Sequence, residues 1–507
     1  MTRWIAASLL ATAALGLAVP APAQDARQAL LIRNAQVIDG EGGQPFAAAV
    51  RIRDGRIAAI GALSPEPGEA EVDAHSLTLA PGFIDTHSHH EYGIEKHLDA
   101  TQLLAQGVTT IVVGQDGGSV TPVSKLFAER EAAPAAVNIA SYSGHGTLRD
   151  AVLGQDFKRK ATPAEIERMK KLLAEDMKAG ALGLSTGLEY DPAIYAAPAE
   201  VIELAKVAAG FGGRYISHMR SEDRQVWAAL DELIEIGRQA KLPVQVSHAK
   251  LAMTDIWGQA DRFIAKLDAA RTEGIDVSLD IYPYPNWEST LTVLWPERDF
   301  QNRATTEFIL THLAPPEGIL VSSDDGDPTH VGKTIAQIAQ EAGTDPATTA
   351  MAMIAAAQAK GGDIGVIGTS MNEGDIARLI AWHGANICSD GGFDSLHPRG
   401  AGAFARILRH YVRETKLLSV GEAVAKMTGR SAAHMGLSDR GVIRPGARAD
   451  LVLFDPATIA DHATPQAPEA VATGVDRVWV NGVLAYAAGK ATGAHPGQVL
   501  RREVSAR

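Results

Sequence analysis

Eight strand-like apolar runs, each followed by a polar corner and a helical pattern, predict an α/β protein built on a (β/α)8 TIM-like barrel. Two further observations complete that prediction. Short strands broken by Gly and Asp-Gly turns stand at both ends of the chain, over 24–80 and 441–507, and read as one small β-sandwich domain assembled from the two termini. The interval before the last run, about 292–365, carries "PPEG", "SSDDGDP" and an Ala-rich helix near 346–359. That is more than a plain crossover needs, so it reads as an inserted subdomain leaning over the barrel mouth.

The chain begins with Arg3, the apolar stretch "WIAASLLATAALGLAV" and the small-x-small site Ala21-Pro22-Ala23. This pattern over residues 1–23 predicts a secretory signal, too short and wrongly flanked to span a bilayer. It implies export to a Gram-negative periplasm, with full secretion as the second choice. The terminal domain opens with "LLIRNAQVIDGEGG" and "AVRIRDGRIAAIG" and closes with "GVIRPGARADLVLFDP" and "VDRVWVNGVLAY". Between them, residues 81–440 form the barrel, whose runs cover 82–88, 108–114, 136–143, 181–188, 214–219, 243–248, 276–283 and 385–390. They are apolar throughout rather than alternating, as parallel strands covered by helices should be. The helices are equally legible over 163–178, where Thr162 is the N-cap, Pro163 sits at N1 and Glu165 at N3, with Ile166, Met169, Leu173 and Met177 at helical spacing.

Composition narrows the class. With 47 Lys and Arg against 60 Asp and Glu, a net charge of −13 and no basic run, nucleic acid is excluded as a partner. No stretch after the signal is long and apolar enough for a membrane anchor. The single Cys388 excludes an intrachain disulfide and a lipoprotein anchor, which needs a cysteine directly after the signal. A small-molecule partner remains; nothing in the pattern bears on oligomeric state.

The unusual residues gather where a barrel keeps its chemistry, at the C-terminal ends of strands. In "PGFIDTHSHH", His87 and His89 stand two apart and so point to one side of a strand. Asp116 follows the second run, His218 ends the fifth, His248 the sixth and Asp390 the eighth. Four imidazoles and two carboxylates are a donor set that suits Zn2+, as one ion or two. Each residue alone has a plainer reading: a lone strand-end His is usually a hydrogen-bonded structural group, and Asp before Gly-Gly is a turn residue. An HxH pair is a weak signal by itself, and His90 reads as a neighbour of the ligands. The conjunction at one end of successive strands carries the inference.

Those residues, with "QGVTTIVVGQDGG", "GHGTLR", "GALGLSTGLEYDPAIYA", "YISHMRSED", "VQVSHAKL", "DIYPYP", "ICSDGG" and "HPRGAGAFARILRHYVRE", resemble the amidohydrolase superfamily and within it the N-acyl-D-amino-acid deacylases, or D-aminoacylases. The resemblance runs in order over nearly the whole chain after the signal. It implies two metal positions, a tighter one formed by Asp116, His218 and His248 and a weaker one formed by His87, His89 and Asp390. In that family the second-strand ligand is typically a cysteine; here it is Asp116, a harder donor. "ALGLSTGL" lacks the bridging lysine of many other amidohydrolases, and Cys388 reads as packing one layer deeper.

The implied activity is hydrolysis of the amide of N-acyl-D-amino acids, or of short peptides ending in a D-residue. Zinc lowers the pKa of a bound water to about 7, and Asp390 is the natural carrier of a proton to the departing amine. The substrate carboxylate needs a cation, for which Arg399 and Lys250 are candidates, with hydroxyls from Tyr282 or Tyr284 and from Ser289. His145 in "GHGTLR" borders the pocket or satisfies backbone groups. Two other readings fit the sequence: a related hydrolase of L-configured peptides or cyclic amides, and a catalytically silent periplasmic binding protein. A retained Asp390 argues against the last, because mere binding has no use for a proton shuttle.

Overall fold

The computed structural model describes residues 29–502, so the leader read at residues 1–23 lies outside the described residues. Eight parallel strands form the barrel: Phe83–Asp85, Val108–Val113, Asn138–Ser141 continued by Ser143–Gly144, Gly183–Gly187, Arg214–His218, Val244–Val246, Val277–Ile281 and Ala385–Ile387. Every predicted run contains one of them. The last strand returns to the first through the backbone: Asp390 N–H donates to His87 O at 2.9 Å and His89 N–H to Gly391 O at 2.8 Å. Closure therefore passes directly through three of the predicted site residues.

Buried apolar side chains fill the space between strands and outer helices, among them Phe83, Val108, Leu184, Met169, Leu173, Val277 and Phe404. The helix Pro163–Ala179 starts with the capping box read from sequence, Thr162 and Glu165 satisfying each other's backbone N–H groups. It stops at Gly180, whose left-handed φ of 111° ends the run.

Strands from both ends of the chain share one nine-stranded sheet, in which Leu451–Phe454 pairs antiparallel with Thr78–Pro81. Register shifts in several of its pairings bend it. It curls until Ile57 N–H donates to Ala447 O at 2.9 Å, enclosing a core of Leu30, Ile32, Val50, Leu451, Leu453 and Trp479. The sequence reading has two facing sheets here; hydrogen bonding makes them one continuous sheet folded over its own core. Asp450 locks this unit to the barrel, accepting from Asn481 N at 2.7 Å and Asn138 Nδ2 at 3.2 Å while pairing with Arg440.

The late excursion is a three-stranded antiparallel sheet, Asn286–Thr290, Ile364–Thr369 and Ile319–Asp324, backed by helices that include Ile335–Ala342 and Pro346–Ala359. It starts before residue 292, because "NWEST" pairs with 365–369 instead of remaining in a barrel loop. Trp287, Leu294 and Leu313 of this excursion form part of the wall of the barrel-mouth cavity.

Candidate metal centre

The six predicted ligands converge. Donor atoms of His87, His89, Asp116 and Asp390 lie within 4.8 Å of one another, and so do those of Asp116, His218 and His248. Asp116 belongs to both groups and divides its oxygens between them. Oδ2 faces His87 Nε2 at 3.4 Å and His89 Nε2 at 3.3 Å, while Oδ1 faces His248 Nε2 at 3.3 Å.

Backbone geometry explains how strand ends aim these side chains inward. Asp116, His248 and Asp390 all have positive φ, at 51°, 32° and 49°. Non-glycine residues rarely hold that conformation, and strain of this kind collects at functional sites. The loop after the second strand is pinned by Gly117, at φ 77°, where a Cβ would come within 2.9 Å of Gly187 N. The "DGG" read as a turn is thus a close approach that fixes Asp116.

The electrostatics call for a cation. Burial disfavours charge on His89, yet Asp116 and Asp390 outweigh it and push the ring up to about 10. Burial also opposes charge on Asp116, but the His87 and His248 rings hold its carboxyl well below the usual range. Asp390 is held down likewise, against burial, chiefly by Arg399, whose Nη1 lies 2.6 Å from its Oδ2. In His218 burial dominates and the ring falls to about 4, leaving it neutral as a ligand must be. His87 is fully buried and neither ring nitrogen has a hydrogen-bond partner. Buried polar atoms are rarely left so, and the donor set of imidazole and carboxylate fits a divalent ion such as zinc.

The ligands open onto a cavity of about 580 Å³ at the barrel mouth. Of the other predicted residues, Arg399, Lys250 and Ser289 line it. Arg399 keeps Nε without a hydrogen-bond partner and lies over the Tyr282 ring at 4.8 Å. Lys250 is engaged by Glu222, donating to its two oxygens at 2.9 and 2.8 Å. Tyr282 is buried beneath these cations, its hydroxyl unpartnered. Tyr284 does not line the cavity; it is buried, with Arg406 over its ring at 5.0 Å and the His397 ring edge-on at 5.7 Å. His145 is buried against Glu200 at 2.9 Å, in a network with Arg149, and does not line the cavity. It thus neither borders the pocket nor satisfies backbone groups; its ring is held by the Glu200 carboxylate.

Three carboxylates beside the ligands escaped the sequence reading. Glu189 Oε2 lies 2.9 Å from His218 Nε2, Glu222 Oε1 lies 3.0 Å from His248 Nδ1, and Asp280 accepts from His248 N at 2.5 Å. Glu189 and Glu222 follow their strands by two and four residues in "STGLEY" and "HMRSED", and Asp280 lies in the strand that runs into "DIYPYP". Nearness to the C-terminal ends of barrel strands is the only signal that could have marked them. Tyr190, whose hydroxyl is 3.2 Å from His218 Nδ1, was missed as well.

Comparison with known proteins agrees with the geometry. The amidohydrolase family pattern matches residues 70–283 and 317–486. N-acyl-D-glutamate deacylase of Alcaligenes xylosoxydans xylosoxydans is 37% identical over 94% of this chain and 97% of its own. D-aminoacylase of the same organism is 36% identical over 93% and 97%. Among solved structures, N-acyl-D-glutamate deacylase from Bordetella bronchiseptica, complexed with zinc and a phosphonate mimic of the tetrahedral intermediate, superposes with a TM-score of 0.83 at 35% identity, over 93% of this chain and 99% of that one. With a family match over most of its length and relatives of this similarity, the chain belongs to the amidohydrolase family.

Proposed function

We propose that this protein hydrolyses the amide bond of N-acyl-D-amino acids, or of short peptides ending in a D-residue, releasing a carboxylate and a free D-amino acid. One observation carries the reading: two ligand groups joined through Asp116 open onto a single cavity that also holds Asp390 and Arg399. The relatives' names, N-acyl-D-glutamate deacylase, D-aminoacylase and N-acyl-D-aspartate deacylase, agree on the class of bond and on the configuration.

His87, His89, Asp116, His218, His248 and Asp390 would hold zinc, which would supply a Lewis acid and make water acidic enough to ionise near neutrality. The chain's own residues do the rest. Asp390 keeps Oδ1 between His87 and His89, at 3.4 and 3.2 Å, and Oδ2 on Arg399. It is placed to take the proton of the attacking water and pass it to the amide nitrogen, which leaves poorly unless protonated. Arg399, with a free Nε, is the donor for the substrate α-carboxylate. The excursion wall, with Trp287 and Leu294, limits water around the reacting amide.

The leader of Arg3, an apolar stretch and Ala21-Pro22-Ala23 supports a periplasmic location. There, cell-wall fragments carrying D-residues are a fitting natural substrate. No helix among the described residues is long and apolar enough to cross a membrane.

A metal-reconstituted screen with N-acetyl-D- and N-acetyl-L-amino acids, assaying free amine, tests the proposal. Cleavage confined to the D series and abolished by chelation is expected. Preference for the L series or for cyclic amides would move the protein to a neighbouring activity. Tight binding without cleavage would make it a binding protein.

A further inference from the structure

His248 presents Nε2 to Asp116 Oδ1 at 3.3 Å, which leaves its Nδ1 between two competitors. Glu222 Oε1 lies 3.0 Å away and Lys250 Nζ 2.6 Å away. The two partners demand opposite tautomers. If Lys250 donates to Nδ1, the ring proton sits on Nε2 and the ring cannot ligate an ion there. If Nδ1 keeps the proton and gives it to Glu222, the Nε2 lone pair is free.

We propose that Glu222 is a positioning residue that selects the ligating tautomer of His248, by accepting Nδ1–H and by drawing the Lys250 protons onto its own oxygens. Lys250 donates to both of those oxygens, at 2.9 and 2.8 Å. The carboxylate is itself buried, and its backbone is fixed because Ala252 N–H donates to Glu222 O at 2.9 Å. A carboxylate behind a metal-bound imidazole sets ring orientation and tautomer and raises its basicity. Here the carboxylate also takes two of the three Lys250 N–H bonds, leaving the third as the competitor for Nδ1. This inference rests on the metal-dependent reading above, and it concerns only how one ligand is prepared.

The test reads zinc affinity by chelator competition in the His89→Ala protein, so that the remaining ion sits with Asp116, His218 and His248. Adding Glu222→Gln keeps the shape and removes the charge; affinity is expected to fall about 10–100-fold. Glu222→Asp should recover part of it, and the absorption bands of the Co2+-loaded protein should follow the same order. Lys250→Met added to Glu222→Gln removes the competing donor and should restore most of the affinity. A merely structural role for Glu222 predicts no such rescue. Unchanged zinc affinity in Glu222→Gln, or a loss that Lys250→Met does not relieve, overturns the proposal. Tight zinc binding that obeys this order without any amide hydrolysis would instead refute the proposed activity and leave this assignment standing.

Discussion

Asp390 Oδ2 lies 2.6 Å from Arg399 Nη1, while its other oxygen faces the rings of His87 and His89. One carboxylate thus ties the candidate substrate anchor to the ligand cluster. Substrate binding at Arg399 and proton handling at Asp390 are electrostatically one event.

Asp390→Asn is expected to leave the fold intact and to lower kcat by about 10²–10⁴-fold, the range typical of a lost general base. Arg399→Lys should raise KM, because a bidentate donor becomes a point charge. Among the charges holding the Asp390 carboxyl down, Arg399 is the foremost. Weakening that contact raises the carboxyl's pKa, so the acid limb of the kcat/KM profile should move to higher pH. A limb that stays in place would separate the two residues.

Asp116 serves both ligand groups with separate oxygens. Asp116→Ala should therefore release zinc from both positions, whereas His89→Ala should weaken only one. Asp116→Cys substitutes one soft sulfur for two hard oxygens and should favour zinc over manganese more strongly than the native residue does. Metal content after competitive dialysis decides both points.

Zinc should also stabilise the fold, since the ligands come from five strand ends that unfolding separates. At a free zinc level about 100-fold above Kd, linkage gives roughly 2.7 kcal/mol. Thermal melting with and without chelator measures it.

The cavity should discriminate against a second carboxylate on the substrate. Among the described residues lining it, the cations are Lys96, Lys250 and Arg399. Lys250 is paired with Glu222, Arg399 serves Asp390, and Lys96 is exposed at the rim. The excursion adds apolar Trp287, Val293, Leu294 and Leu313, with Glu288 its one charged lining residue. Burying an unpaired carboxylate there is costly. N-acetyl-D-leucine should accordingly be cleaved faster than N-acetyl-D-glutamate, by kcat/KM measured side by side. Glu288→Gln should narrow the gap.

Lys426 predicts a pH dependence of stability distant from the site. Its ammonium is buried and donates to Trp382 O at 2.5 Å. Burial first, then the nearby Arg430, lowers it to about 7 from an ordinary 10.5. Between these values the unfolded chain binds the extra proton, so stability rises as pH rises from 7 toward 10.5. Relative to Lys426→Met, the native protein should gain on the order of 2–3 kcal/mol between about pH 7 and 9. Denaturant midpoints of the two proteins at several pH values measure the difference.

Much of this arrangement is legible in the chain. Periodicity located all eight barrel strands, and strand ends located His87, His89, Asp116, His218, His248 and Asp390, because in a parallel barrel the end of a run is also a place in space. Glu189 and Glu222 lie two and four residues past their strands and Asp280 sits inside its own, so only the neighbours brought in by folding separate them from turn, surface or buried structural carboxylates. His145 shows the converse: its sequence context left the pocket and backbone groups equally open, and packing gave its ring to the Glu200 side chain.

Sequence alone determined the order of elements and the donor types, because local periodicity and side-chain chemistry are properties of the chain itself. Tertiary structure decided how Asp116 divides its oxygens, which of the candidate cations are already paired, and that the two terminal strand groups form one curled sheet. Those outcomes depend on distances between residues far apart in sequence and on positive φ values at Asp116, His248 and Asp390. Closure of the barrel and the packing around it fix both, and no local pattern encodes them.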